Sequence, residues 1–431
     1  MSVLIHNCTA LLMDEENTVL KDAFVAVAGA SILSVGAQRP AGSFDQELDA
    51  GGQVLMPGLV NAHTHVPMTL LRGYGGGCDL HTWLTKFIFP AEDRLDGRAV
   101  RAGALLGLAE LISSGVTTIA DMYMFCNEIA RAAADAGINA NIARGATLFV
   151  PEFDFHTHPA CVEMRELAEQ WHGHNGGQIL IDACLHGEYT SRPAVWEAVA
   201  GYAKDKGLGM HVHISETRSE HEECISRHGL TPIQALDKYG VWDVRAIAAH
   251  CVWVTPEDMA LMAAKGVSAI HNPVSNLKLG SGVAPVPALM KAGVNVALGT
   301  DGVSSNNSHD MFEDLKVAAI LHNGVTCDPL ALLPQDALRM ATVNGAKALG
   351  RKTGQIRPGY DADLILLDFN RPSLTPCHSV ADNLAYSARG GDVTMNMARG
   401  KVIYRNGDFL TIDLAAVMDE VHRYALPKIF G

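Results

Sequence analysis

The chain lacks any pattern of paired cysteines. Its nine Cys are scattered singly over 431 residues with no CxxC, which argues against a disulfide framework and a thiolate zinc knuckle and fits a reducing cytoplasm. It also lacks basic excess: 33 Lys and Arg stand against 47 Asp and Glu, and the net charge of −14 would repel phosphate backbones and anionic membrane surfaces. Nucleic acid and membranes are therefore disfavoured as partners. No run of about 18 apolar residues occurs, and the opening MSVLIHNCTALLMDEEN meets acidic residues before a signal-peptide core can form, so no spanning or exported segment is expected. Repeats and low-complexity tracts are missing too. Charged residues make up 19% and hydrophobic residues 48%, a balance that excludes global disorder. The length excludes a minimal binding module and predicts one large domain with a smaller companion.

What is present falls into two textures. Residues 1–57 read as short β segments, VLIHNCTALL, FVAVAGASILSVG and QVLMPG, divided by Gly turns. The far end repeats this in DADLILLDF and DVTMNMARGKVIYRNGDF, before a helical tail over 413–424. Residues 1–57 and 360–431 are thus expected to build one composite β-sandwich domain. Between them, β runs at 55–62, 116–122, 138–146, 179–186, 208–213, 245–250, 267–271 and 294–301 alternate with Ala- and Leu-rich stretches of helical period. Eight strands with intervening helices predict an α/β fold, a (β/α)8 TIM barrel over 58–359, with reactive groups at the carboxyl ends of its strands.

Those ends carry His63 and His65, Asp121, Arg144, His186, His213, His250, His271 and Asp301. Polar residues often end strands because loops begin there, but Gly, Asn, Asp and Ser are the usual choices. Five of eight ends bearing His goes beyond that habit. His63 and His65 are two apart on a strand, so both face the barrel interior and can share one ion. An HxH pair alone is weak, since 156/158 and 211/213 repeat it. The 156/158 pair follows a loop instead of an apolar run, and His211 sits one layer below the strand end, as a hydrogen-bonded interior histidine would. His63, His65 and His213 with the carboxylate of Asp301 would hold one divalent ion, Zn2+ or Fe2+, and leave a position for water.

The segments PGLVNAHTHVPMTLLRG, HVHISET, AAHCVWV, HNPVSNLKLGSGVAP and LGTDG, in that order, resemble the metal-dependent amidohydrolase superfamily, as does the closing GQIRPGYDADLILLD. The resemblance covers almost the whole chain and implies that His63, His65, His213 and Asp301 bind the metal while His250 hydrogen-bonds a metal-bound water. Binuclear members carry a carboxylated lysine at the fourth strand; ILIDACLH has no Lys, so one metal is expected. Glu216, three residues after His213, is placed to protonate a ring nitrogen, and Asp301 to take a proton from water, so that ammonia leaves. LRGYGGGCDLHTWLTKFIFPAEDRL resembles the subgroup of 5'-methylthioadenosine/S-adenosylhomocysteine deaminases. That likeness implies Glu92 on ribose hydroxyls, Arg144 toward the ribose or tail, and His186 on the purine. Trp83 would pack on substrate or simply fill core.

One feature departs from the subgroup. A tail carboxylate needs a further cation, yet residues 145–164 contain no Arg or Lys, which favours methylthioadenosine, adenosine or 5'-deoxyadenosine over S-adenosylhomocysteine. Deamination of another purine or a pyrimidine, and hydrolysis of an s-triazine, remain alternative readings. Glu92 and Arg144 count against a bare triazine, which has no ribose. A non-catalytic scaffold would be expected to have lost some of these ligands. A homo-oligomer is expected by resemblance alone.

Overall fold

The computed structural model describes residues 2–150 and 152–431. Five strands open the chain: β1 (Ser2–Leu11), β2 (Val19–Ala28), β3 (Ser31–Gly36), β4 (Gln46–Asp49) and β5 (Val54–Pro57). Eight parallel strands follow, β6 (Leu59–Thr64), β7 (Val116–Tyr123), β8 (Asn139–Arg144), β9 (Ile179–Gly187), β10 (Gly209–Ile214), β11 (Ala246–His250), β12 (Ser268–His271) and β13 (Asn295–Leu298), each paired with the next. The ring closes where the Asp301 N–H donates to the His63 carbonyl at 3.0 Å. Helices between the strands cover the outside, as the βα alternation predicts.

Side-chain parity sorts the barrel into two cores. Val60, Ala62, Ala120, Ile247, Ile270 and Ala297 point inward and meet Ala346, Ala348 and Leu349, which plug the lower end. Their neighbours Ile119, Ala248, Ala269, Val296 and Leu298 point outward and join the large core under the helices.

Both chain ends meet in one mixed sheet of nine strands. β14 (Leu364–Leu367), β15 (Val393–Ala398), β16 (Lys401–Arg405) and β17 (Asp408–Phe409) extend it in the order β17-β16-β15-β14-β5-β1-β2-β3, with β4 beside β1. Leu364 and Leu366 face this domain's own core together with Val3, Ile5, Val25 and Leu55. Ile365 and Leu367, of opposite parity, pack with Met56 into the barrel's outer core. The period of two thus makes one strand seal two cores.

Two strand boundaries differ from the sequence expectation. The run at 55–62 is two strands: β5 ends at Pro57 in the terminal sheet and β6 starts at Leu59 in the barrel. At Gly58 between them an added Cβ would lie 2.2 Å from the Thr117 side chain, so the chain crosses there without one. In the run at 294–301 the strand extends only from Asn295 to Leu298, and Asp301 stands beyond it at φ +59° as an isolated bridge to Thr64. At the far end, helical turns run from 414 to 430 with Asp413 capping the Ala416 N–H at 3.0 Å. No helix among the described residues is long and apolar enough to cross a membrane.

Candidate active site

The carboxyl ends of the barrel strands surround a cavity of about 330 Å3. At its floor, ligand atoms of His63, His213, His250 and Asp301 all lie within 4.8 Å of one another, and all four residues are buried. His65 joins them: its Nε2 stands 3.1 Å from His213 Nε2 and 3.2 Å from Asp301 Oδ1, while His63 Nε2 is also 3.2 Å from that oxygen.

Proton bookkeeping shows what this convergence needs. His213 Nδ1 donates to the His186 carbonyl at 2.8 Å, and His65 Nδ1 donates to the Met122 carbonyl. His63 Nδ1 faces His211 Nε2 at 2.8 Å, so the deeper histidine orients the ring above it. Each ring that spends its proton on Nδ1 presents a lone pair at Nε2. Lone pairs 3.1–3.2 Å from one another and from a carboxylate oxygen repel unless a proton or cation lies among them. Burial drives His63 down to about 3 and His213 well below the usual imidazole range, keeping both neutral. Burial opposes charge on His65 too, but Asp301 and the Met122 carbonyl overcome it and hold its proton up to about 9. A divalent cation held there would compete for those same acceptors and displace that proton. The donor set fits such an ion: neutral imidazole nitrogens and one carboxylate. Burial alone would raise Asp301, yet hydrogen bonds from His63 and His65 hold it well below the usual carboxylate range. Its second oxygen accepts from Ser275 Oγ at 2.6 Å and Ser305 Oγ at 2.8 Å.

Backbone strain collects at this floor. Ser215, His250, Cys251 and Asp301 all adopt positive φ, of 51°, 77°, 48° and 59°, just where the strands stop. Gly299 lets the chain close there, since an added Cβ would fall 2.6 Å from Asn272 Oδ1 and 2.8 Å from the His63 carbonyl. His250 Nδ1 donates to Asn276 Oδ1 at 2.8 Å, leaving Nε2 3.7 Å from Glu216 Oε2. Glu216 is buried and accepts from Ser281 Oγ at 3.1 Å. Burial raises its carboxyl above the ordinary value, against the pull of His250.

The walls hold the remaining sequence candidates. Trp83, Glu92, Arg144 and His186 all line the cavity. Trp83 lines the cavity and also belongs to the large apolar core. Glu92 is buried at the end of a short helix, and burial pushes its carboxyl up to about 7, against Tyr123 beside it. Arg144 is held by Glu163, Nε to Oε2 at 2.6 Å, and by the Gly145 carbonyl at 2.7 Å. His186 Nδ1 meets Thr190 Oγ1 at 3.2 Å, and burial lowers its pKa to about 4.

Two strand-end candidates stay outside. Asp121 lies beneath His65 and accepts the Val66 N–H at 2.6 Å. His271 turns away, its ring 5.2 Å from His322. Sequence reasoning missed Glu220, a buried carboxylate that accepts the N–H groups of Ser215 at 2.7 Å and Glu216 at 2.8 Å and so pins the turn bearing Glu216. Its signal was legible: Thr217-x-x-Glu220 has the spacing of a helix-capping box. Ser275, Asn276 and Ser281 likewise stand inside HNPVSNLKLGSGVAP, but only the fold shows whom they touch.

The amidohydrolase family model matches residues 54–403. The chain belongs to the amidohydrolase family. It is 39% identical over 428 residues to a 5-methylthioadenosine/S-adenosylhomocysteine deaminase of Thermoanaerobacter pseudethanolicus, covering 99% of both chains. A 5'-deoxyadenosine deaminase of Methanosarcina mazei is 39% identical across 98% of this chain and 97% of its own. The solved adenosine deaminase of Xanthomonas campestris, which carries bound zinc, superposes with a TM-score of 0.93 at 33% identity, covering 99% of this amidohydrolase and 98% of that chain.

Proposed function

We propose that this amidohydrolase removes the amino group of an adenosine-type nucleoside by hydrolysis, giving the inosine analogue and ammonia. The observation that carries the reading is the convergence of His63, His65, His213 and Asp301 at the floor of a cavity whose walls bear Glu92 and Arg144. Those four residues would hold one divalent ion, with Zn2+ ahead of Fe2+ because borderline-soft Zn2+ suits imidazole with one carboxylate. When bound, such an ion supplies acidity to water, lowering its pKa from about 15.7 toward 7.

The chain's own groups do the rest. Asp301 takes one proton from the attacking water and passes it to the departing amine. His250, fixed by Asn276, aims the Nε2 lone pair at the same space, where it accepts a hydrogen bond from the attacking water and orients it. Glu216, whose carboxyl burial raises above its ordinary value, gives a proton to the ring nitrogen beside the carbon under attack. On collapse it recovers the remaining proton of the added water, so the ring keeps N–H and C=O while ammonia leaves. Glu92 accepts from ribose hydroxyls, Arg144 lies toward the ribose, His186 bonds the purine edge, and Trp83 packs on the substrate's apolar face.

The test is incubation of metal-replete protein with adenosine, 5'-methylthioadenosine, S-adenosylhomocysteine, guanine, cytosine and a chlorotriazine. Ammonia release and the ultraviolet change from adenine to hypoxanthine are followed. Turnover of one or more adenosines is expected. Ammonia from another ring with silence on every adenosine would sink the wall assignments.

A further inference from the structure

We propose that the outer half of the cavity accepts an uncharged apolar 5' substituent and discriminates against amino-acid or phosphate tails, with Phe149 as the specificity-determining residue. This rests on the nucleoside reading above. A purine ring seated over Glu216, His250 and Asp301, with its ribose beside Glu92, must send its 5' carbon away from the floor and toward the mouth.

What waits there is apolar. Leu80, Leu84, Ile88, Phe89, Met124 and Phe149 line the cavity. Phe149 is 69% exposed at the rim, although the chain just before it is anchored. The Leu148 N–H donates to the Thr190 carbonyl at 2.8 Å, and the Ala146 N–H to the Cys184 carbonyl at 3.1 Å. An exposed aromatic on a pinned segment has something to gain by closing over an apolar group.

The charges lining the cavity are unbalanced. Among the described residues that line it, Arg144 is the one guanidinium, already engaged by Glu163, and no Lys is present, whereas Glu92 and Asp93 place carboxyl groups on the wall. A phosphate would meet Asp93 on the wall and, for a cation, only the Arg144 guanidinium that Glu163 already engages. An amino-acid tail is subtler, because Asp93 can take its ammonium. The carboxylate on that same carbon would then be drawn against Asp93 with no cation to share. A methylthio or methyl group meets neither problem.

Ammonia release from 5'-methylthioadenosine, 5'-deoxyadenosine, S-adenosylhomocysteine and adenosine monophosphate, compared as kcat/KM on the metal-replete protein, tests this. The expected order puts the first two about tenfold or more above S-adenosylhomocysteine, with the monophosphate last. Phe149→Arg, an exposed change that spares the core, should raise S-adenosylhomocysteine relative to methylthioadenosine by about tenfold, whereas Phe149→Leu should keep the original ranking. Equal kcat/KM for methylthioadenosine and S-adenosylhomocysteine in the unmodified protein overturns the inference alone. An unchanged ratio in Phe149→Arg overturns the role of Phe149. Silence on every adenosine overturns the nucleoside reading together with it.

Discussion

The floor and the walls of the cavity are built in opposite ways. At the floor, groups come from strand ends and each is pinned by its own hydrogen bond: His65 and His213 by backbone carbonyls, His63 by His211, Asp301 by two serines. The walls add to the strand ends of Arg144 and His186 several short helical turns and one loop, where Leu80, Leu84 and Phe89 are half-buried and Phe149 is exposed. The difference teaches where precision is needed. Bond making tolerates little misplacement, so its groups sit on the rigid barrel, while recognition of a tail can be left to adaptable segments.

If that contrast holds, floor substitutions should hit kcat and wall substitutions KM. The largest effect is expected for Asp301→Asn, which on the proposed reading would remove both a ligand and the proton acceptor: turnover should fall roughly 1000-fold or more, with lowered metal content. Near-normal activity there would break the contrast outright. Glu216→Gln should retain its metal yet lose about 100-fold to 10000-fold in kcat; metal loss would mean its role is structural.

A smaller loss, about tenfold in kcat with KM little changed, is expected for Glu220→Gln, because the charged acceptor that fixes the Ser215–Glu216 turn is weakened. A matching change in KM would place Glu220 with the walls instead. Glu92→Ala should raise KM for nucleosides about tenfold while sparing any free base that is turned over, and equal losses would make Glu92 a structural part.

The smallest effect is on stability against pH. Burial raises folded Glu92 to about 7 from the ordinary 4.5, so its contribution to stability is complete below about 4.5 and is lost as pH rises through about 7. Glu92→Gln should flatten the decline of Tm across that window relative to the unmodified protein. Identical slopes in thermal melts would show that Glu92 is more solvated than its burial indicates.

Much of the floor was legible in advance because barrel strands advertise themselves twice, by an apolar run and by the polar residue that ends it. His63, His65, His213, His250 and Asp301 were all found that way. The same rule overreached at Asp121 and His271, since standing at a strand end does not say which side of the wall a side chain takes. Parity settles that: Ile270 points into the barrel and its neighbour His271 outward, against His322.

By itself the sequence determined the alternation of strands and helices, the β texture of both chain ends, and the residue types available at each strand end. These are local properties, set by periodicity and turn chemistry within a few residues. Only the tertiary structure decided that His211 orients His63, that Ser275 and Ser305 hold Asp301, and that one paired guanidinium shares the cavity wall with the carboxyl groups of Glu92 and Asp93. Such relations join residues far apart along the chain, His63 and His211 being 148 positions apart, and they exist only once closure of the barrel brings the strand ends together.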